Sequence, residues 1–276
     1  MRVFSIFLYL LVFVSISSLA LFSHHAMEYI EMDSYTTARE REFVFHWHYD
    51  YIVDKKNDPQ SDHYEITPGL SYGIIDRLMF DVHCHFAKFG ASHLDEDYCD
   101  DHPDSPFLTD GPSPFIEAAA ASFQYRVTEH NQIPIDLAIG VFGEIPTKRA
   151  KNLLGSERVY GGSLILSRGF GLHNNITTNF NYERDGDENI WSWAVGMKLV
   201  LSTVDDHAPA IGCEVIGDYE GHIGIMPGIY MNIMQNTIFK AGIFIGVSQY
   251  HKKSDVDFQE EREEDLRANV TVMTRW

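Results

Sequence analysis

Large apolar side chains occupy every second position of residues 42–53, which read EFVFHWHYDYIV. The positions between them include His46, His48 and Asp50, so the stretch has one apolar face and one polar face, as a β-strand does. The same alternation recurs about a dozen times, and after the N-terminus no stretch has the period of a helix that would cover the apolar faces. This repetition constrains the fold more than any other feature of the chain.

Turn residues separate the alternating segments and predict twelve strands. They span approximately residues 42–53, 64–74, 78–88, 114–128, 133–144, 158–169, 175–184, 190–202, 209–219, 222–234, 238–250 and 265–276. Short and long connections alternate along most of the chain, the longest being residues 89–113. Outer-membrane barrels have short periplasmic turns and long outer loops, and an even number of strands places both termini in the periplasm.

The N-terminus begins with Arg2, continues as an apolar run and closes on the small residues Ser18 and Ala20. This order is typical of a secretory signal peptide, which we assign to residues 1–23. The apolar run is also long enough to be an uncleaved transmembrane helix, so that alternative stays open. Residues 24–41 are polar and weakly patterned, and predict a flexible periplasmic lead-in before a barrel that comprises residues 42–276.

The last predicted strand, LRANVTVMTRW, is amphipathic and ends on the aromatic residue Trp276. This ending resembles the C-terminal assembly signal of bacterial outer-membrane proteins. The features together predict an all-β fold, a transmembrane antiparallel up-and-down β-barrel of about 12 strands in the bacterial outer membrane. We expect its partners to include outer-membrane lipid and the barrel-assembly machinery.

Composition narrows the classes of partner and of covalent chemistry. The formal net charge of −19 argues against nucleic acid as a partner. Cys84, Cys99 and Cys213 are odd in number and form no CxxC motif, so no disulfide framework is expected. Pro68 and Pro227 fall inside predicted strands, where proline cannot donate to the ladder, and a bulge or a bend near the rim is expected at each.

Four segments carry a resemblance to a known family. They are EITPGLSYGIIDRLMFDV (65–82), IPIDLAIGVFGEIP (133–146), AVGMKLVLS (194–202) and MPGIYMNI (226–233). They resemble the bacterial outer-membrane β-barrel "transporter" family that is named for the meta-pathway of phenol degradation. The resemblance implies a porin-like barrel that passes small or hydrophobic solutes, and it brings no site residues with it.

The polar faces of strands one and three carry mirrored motifs, HxHxD and DxHxH, which would both point into the lumen. Imidazole and carboxylate ligands suit zinc, copper, nickel or iron. One interpretation is therefore a divalent transition-metal site formed by His46, His48, Asp50, Glu65, His83 and His85. The other is a hydrogen-bonded polar wall whose carboxylates pair with Arg267, Arg275, Lys198 or Lys240. Gly69 of strand two would leave room between the histidines.

Two further groups of residues carry side chains that are suited to chemistry. The acidic loop 91–106 would capture divalent cations or simply be a solvated loop. Ser163, Ser167 and Ser248 lack a nucleophile motif, and an acid–base pair of Asp136 and Glu144 is the remaining catalytic candidate. Because carboxylates are common in channel lumens, we predict that the protein is not an enzyme.

The sequence thus predicts a channel or transporter for small solutes. Selectivity would come from inward charges, namely Asp81, Asp136, Lys198, Lys240 and Arg267. The first alternative is a metal-binding barrel that uses the histidines and carboxylates of strands one and three. The second alternative is a secreted soluble β-protein.

Overall fold

The computed structural model describes residues 32, 36–53, 62–91, 94, 96–102, 105, 111–128, 134–170, 174–202, 208–219, 221–234, 236–248 and 266–276. Twelve strands run through these residues: β1 (Phe43–Val53), β2 (His63–Ile75), β3 (Leu78–Lys88), β4 (Phe115–Arg126), β5 (Asp136–Pro146), β6 (Val159–Phe170), β7 (Asn174–Asp185), β8 (Glu188–Val200), β9 (Ala210–Asp218), β10 (Ile223–Met234), β11 (Thr237–Ser248) and β12 (Leu266–Arg275). Two short helices lie between strands, α1 (Glu96–Asp101) and α2 (Lys148–Leu154).

The strands close into one antiparallel up-and-down barrel. Each strand pairs with its neighbours in sequence, and β1 also pairs with β12, which leaves the sheet without a free edge. At the end of this β1–β12 seam, Phe43 and Trp276 exchange two backbone hydrogen bonds of 2.9 and 3.1 Å. The predicted fold class is therefore confirmed.

Apolar and polar side chains are distributed inside out relative to a soluble protein. Large apolar side chains on the outer face expose 36–69% of their surface, as Trp47, Val141 and Ile243 illustrate. Polar side chains on the inner face, among them Asp81, Asn175 and Thr271, expose 9% or less. An apolar outer belt around a polar interior is the arrangement of a barrel in lipid. This distribution does not fit a secreted soluble β-protein.

Strand ends agree with the sequence prediction to within three residues, and the largest difference is at the start of β5, which begins at Asp136 and not at 133. The prediction of a bulge at Pro68 and at Pro227 is wrong. The β2–β3 register passes from Ile66↔Phe86 to Gly69↔His83 without a shift, and the β9–β10 register continues through Pro227↔Cys213. A proline lacks only the one N–H, so the strand keeps its register on both sides.

The long outer loops contribute a small apolar cluster at one end of the barrel. Leu94, Phe115, Ala150 and Leu153 are buried together, with Tyr98 and Cys99 packed against them. Helix α2 begins at the N-cap Thr147, whose hydroxyl accepts from Ala150 N at 3.2 Å. Part of the acidic loop 91–106, including His93, Asp95 and Asp104, lies outside the described residues.

The chain before β1 packs into the barrel where the structure describes it. Ala38 and Thr37 are buried, and Gly73 of β2 approaches so closely that an added Cβ would meet the carbonyl of Arg39. Met32, Thr37 and Ala38 are thus buried against the barrel, while residues 39–41 are exposed, and the flexibility of the lead-in stays a prediction. The predicted signal peptide at 1–23 lies outside the described residues and stays a prediction. No helix among the described residues is long and apolar enough to cross a membrane.

Candidate functional site

The mirrored motifs of β1 and β3 meet across β2 on the inner face of the barrel. In the β1–β2 register His46 is opposite Gly69, and in the β2–β3 register Gly69 is opposite His83. His46 and His83 therefore lie at one height, with 6.3 Å between their ring centroids. The aspartates of the two motifs lie at opposite ends, because β1 and β3 are both antiparallel to β2 and therefore run in the same direction.

Asp81 is the centre of the first hydrogen-bonded group in the lumen. Its Oδ2 lies 2.7 Å from His46 Nε2 and its Oδ1 lies 2.7 Å from His83 Nδ1. Ser71 Oγ donates to Oδ2 at 2.6 Å. Three donors around one buried carboxylate offset much of the cost of removing its charge from water.

Gly69 provides the space in which this group forms. A Cβ at this position would collide with the imidazole of His46 and would lie 2.9 Å from the Cβ of His83. The predicted room between the histidines is therefore confirmed, and it depends on a residue without a side chain.

A second group continues the wall toward the loop end. His85 Nδ1 is hydrogen-bonded to Glu65, which also accepts from Thr67 Oγ1 at 2.5 Å. The other ring nitrogen of His85 is 3.5 Å from Glu144 Oε2 on β5. On the opposite side, His48 Nδ1 lies 2.9 Å from Thr271 Oγ1.

Two of these carboxylates have histidine partners where lysine or arginine was expected. Asp81 is bonded to His46 of β1 and to His83 of its own strand, and Glu65 is bonded to His85 of β3. Lys198 instead lies 5.9 Å above the ring of Tyr230, and Arg267 lies 5.2 Å above that of Phe244. The polar wall is thus centred on β1, β2 and β3, with Thr271 of β12 and Glu144 of β5 at its two borders.

The same histidines were the predicted metal ligands. Successive rings lie 5.0–6.3 Å apart between centroids, but each is engaged with a carboxylate or a hydroxyl. Within the described part of the chain, no three His, Cys, Asp or Glu side chains are placed to hold one metal ion. Asp50 is directed elsewhere and accepts from Asn269 Nδ2 at 2.7 Å.

The charges predicted to line the lumen all lie on inward-facing positions. Asp81, Asp136 and Lys240 are buried, and Lys198 and Arg267 are partly buried. We call Glu65, Asp81, Asp136 and Glu144, on β2, β3 and β5, the acidic wall. We call Lys198, Lys240 and Arg267, on β8, β11 and β12, the basic wall. Their role in selectivity stays a prediction.

The catalytic candidates are not brought together. Asp136 and Glu144 are at the two ends of β5, about 26 Å apart at 3.3 Å per residue, so they cannot act as an acid–base pair. Ser167 Oγ lies 2.8 Å from Thr177 Oγ1 and 3.5 Å from the carbonyl of Ile176, in a polar ladder with β7. This geometry does not activate a serine, since a nucleophile needs an adjacent base.

Sequence reasoning missed a third group, centred on Glu214 of β9. Glu214 is fully buried, and its Oε1 accepts from Tyr230 Oη at 3.2 Å. The ring of Tyr230 lies over Gly212, where a Cβ would be 2.8 Å from the ring. The available signal was an acidic residue in the middle of a strand whose adjacent inward positions, Gly212 and Ile216, are small or apolar.

Comparisons with known proteins agree with the fold. No family model matches the chain, and no curated protein matches it. The KdgM porin in complex with disordered oligogalacturonate superposes with a TM-score of 0.53, at 7% identity over 84% of this chain and 98% of that one. The NanC porin gives a TM-score of 0.52, at 8% identity over 83% and 98%. At such low identity the likeness shows a shared fold, that of outer-membrane porin barrels.

Proposed function

We propose that the protein is an outer-membrane channel for small polar solutes. The observation that carries the proposal is the inner face, where buried charged and polar side chains form a continuous lining inside an apolar belt. A barrel whose interior served only for structure could be filled with apolar side chains at lower desolvation cost. The shared fold with the KdgM and NanC porins supports a channel in general terms.

The class of solute follows from the groups that a solute would meet. The acidic wall and the basic wall present carboxylates, imidazoles, ammonium groups and a guanidinium, with hydroxyls and amides between them. Such groups replace the hydration of a polar or charged solute and give no advantage to a hydrocarbon. This favours polar solutes over the hydrophobic solutes that the family resemblance also implied.

The same surface supports a proposal for localisation and partners. The apolar outer belt requires a hydrocarbon environment, for which the outer membrane of a bacterium is the setting in which barrels of this kind occur. Insertion there would involve the barrel-assembly machinery, with the strand that ends on Trp276 as the segment that it recognises. Outer-membrane lipid and a small solute complete the expected partners.

Reconstitution in a planar bilayer tests the proposal. We expect discrete single-channel steps, and we expect Lys240→Gln to make the channel more selective for cations because it removes a buried positive charge from the basic wall. Asp187→Asn, at a fully exposed carboxylate in the β7–β8 turn, is the matched control and should leave selectivity unchanged. A folded barrel that stays silent under all voltages and salts would contradict the proposal.

Binding of a divalent transition metal is a second candidate function. The observation that favours it is His46 Nδ1, which is buried without a hydrogen-bond partner among the described residues. Binding would require the Asp81 hydrogen bonds to be exchanged for metal–ligand bonds. Metal analysis of purified protein beside a His46→Ala/His83→Ala variant decides the question, since equal metal content in both excludes a site at these histidines.

A further inference from the structure

The part of the chain before β1 makes contacts on two different walls of the lumen. Near the turn end, Thr37 Oγ1 donates to the carbonyl of Asp76 at 2.9 Å and Gln124 Nε2 donates to the carbonyl of Thr36 at 3.4 Å. Ala38 N lies 3.4 Å from the sulfur of Met79 on β3. These contacts involve β3, β4 and the β2–β3 turn.

Met32 makes its contacts on β8 and β9. Its backbone N–H donates to Glu214 Oε2 at 3.0 Å, and its side chain is buried against Ala194 and Ile216. In a closed ring of twelve strands, β3 and β9 are six positions apart and therefore opposite each other. Ala38 lies six positions after Met32, and six steps along an extended chain span at most about 21 Å, comparable with the width of a twelve-stranded barrel.

Met32 also lies deep in the barrel. Glu214 is the middle residue of β9, which runs from Ala210 to Asp218, so its carboxylate is near mid-height. Met32 exposes only 7% of its surface, and the side chains that bury it belong to the inner wall of the barrel. A residue that precedes the first strand therefore occupies interior space that a solute would have to cross.

Glu214 and its neighbours have the character of a docking site for a peptide backbone. The buried carboxylate takes a main-chain N–H on Oε2 and the Tyr230 hydroxyl on Oε1. Ala194 and Ile216 supply an apolar surface beside it, and the methionine side chain covers that surface. A buried carboxylate with a backbone donor is costly to leave without that donor, so the site favours occupancy.

We propose that the Glu214 site binds Met32 of the chain's own lead-in segment, of which residues 32 and 36–41 are described, and that this segment narrows the lumen and holds the channel in a low-conductance state. The proposal rests on the proposed channel function for its effect on conductance. The position of the segment does not depend on that function and can be tested by itself.

Disulfide trapping tests the position. In a variant with Cys84, Cys99 and Cys213 replaced by alanine, the pair Met32→Cys/Ala194→Cys should form an intrachain disulfide in the folded barrel. The pair Met32→Cys/Ala138→Cys is the matched control, since Ala138 is also buried on the inner face but lies on β5. Failure of the first pair to cross-link, or equal yields from both pairs, would overturn the proposal.

Conductance tests the obstruction. Glu214→Ala removes the acceptor and should raise single-channel conductance severalfold, and Met32→Pro, which removes the donor and leaves the wall intact, should do the same. Met32→Leu keeps the N–H and should behave as the unmodified protein. Adding the Met32–Ala194 disulfide to Glu214→Ala should restore the low conductance.

The outcomes separate the two proposals. Unchanged conductance in both Glu214→Ala and Met32→Pro, in barrels that otherwise conduct, would overturn the obstruction. A cross-linked barrel that never conducts, with or without these substitutions, would overturn the channel function, and the cross-link would still establish where the segment lies.

Discussion

Gly69 is a residue at which one additional carbon atom would disturb the hydrogen-bonded group around Asp81. It separates His46 from His83, and both histidines bond the carboxylate of Asp81. The arrangement therefore depends on a missing side chain as much as on the charged groups themselves. One prediction concerns the space at Gly69, and a second concerns the charge of Asp81.

We expect Gly69→Ala to destabilise the folded barrel by about 1–3 kcal/mol, because the new Cβ would force the His46 ring out of its place against Asp81. Urea unfolding in lipid vesicles, followed by the change in electrophoretic mobility of the folded barrel, measures this difference. Gly143→Ala is the matched control, since a Cβ there meets only the carbonyl of Val159 at 3.9 Å. Equal stability of the two variants would contradict the role of Gly69.

We expect Asp81→Asn to cost about 1.5–3 kcal/mol of unfolding free energy, because three hydrogen bonds to a buried carboxylate lose their charge. The same urea experiment applies. Asp187→Asn should change stability by less than about 0.5 kcal/mol, because that carboxylate is fully exposed. A loss for Asp81→Asn as small as that of the control would show that the group does not stabilise the wall.

At the scale of the element, β12 both closes the barrel and ends the chain. The backbone of Trp276 exchanges two hydrogen bonds with Phe43, while its side chain is exposed on the outer face. A substitution of the Trp276 side chain keeps the backbone hydrogen bonds that close the barrel. It therefore separates the role of the backbone in closure from the role of the side chain in recognition by the assembly machinery.

We expect Trp276→Ala to lower the amount of barrel assembled in the outer membrane while leaving unassisted refolding in detergent nearly unchanged. The substitution keeps both seam hydrogen bonds and removes only the aromatic group that the assembly machinery would recognise. Quantifying folded barrel in membrane fractions and in detergent gives the two readouts, and Trp276→Phe serves as the control. Equal loss in both readouts would assign the residue to stability instead.

The strands could be predicted from the sequence because apolar and polar side chains alternate along each of them. The period of two located all twelve strands, because each strand has a lipid face and a lumen face that demand different side chains. Pairing across strands was not predictable, because register decides which inward residues share a height. That is why the histidine partners of Asp81 and Glu65 were missed, and why Glu214 was not recognised as a site.

At the scale of the whole molecule, the apolar belt defines how the protein meets its surroundings. Each of its four tryptophans, Trp47, Trp191, Trp193 and Trp276, alternates with inward positions and lies on the outer face. Trp193 packs over Gly217 of the neighbouring strand, also on that face. The tryptophan fluorescence of the protein therefore reports on the outer surface.

We expect brominated lipids to quench most of this fluorescence in vesicles, and aqueous acrylamide to quench little of it. Proximity to lipid is the reason, since Trp47, Trp191 and Trp276 expose 42%, 57% and 67% of their surface outward. Protein unfolded in urea without lipid is the control, in which acrylamide should quench strongly. Strong acrylamide quenching in vesicles would contradict the membrane orientation of the belt.

The separation of the acidic wall from the basic wall has an electrical consequence. These charges lie on opposite sides of the ring of strands, and the buried Glu214 of β9 offsets only part of the basic wall, so we expect a field across the lumen at right angles to the direction of passage. A solute with its own dipole would turn until its anionic end faced β8, β11 and β12 and its cationic end faced β2, β3 and β5. Passage would then discriminate among isomers of equal size and equal net charge by where along the molecule their charges lie.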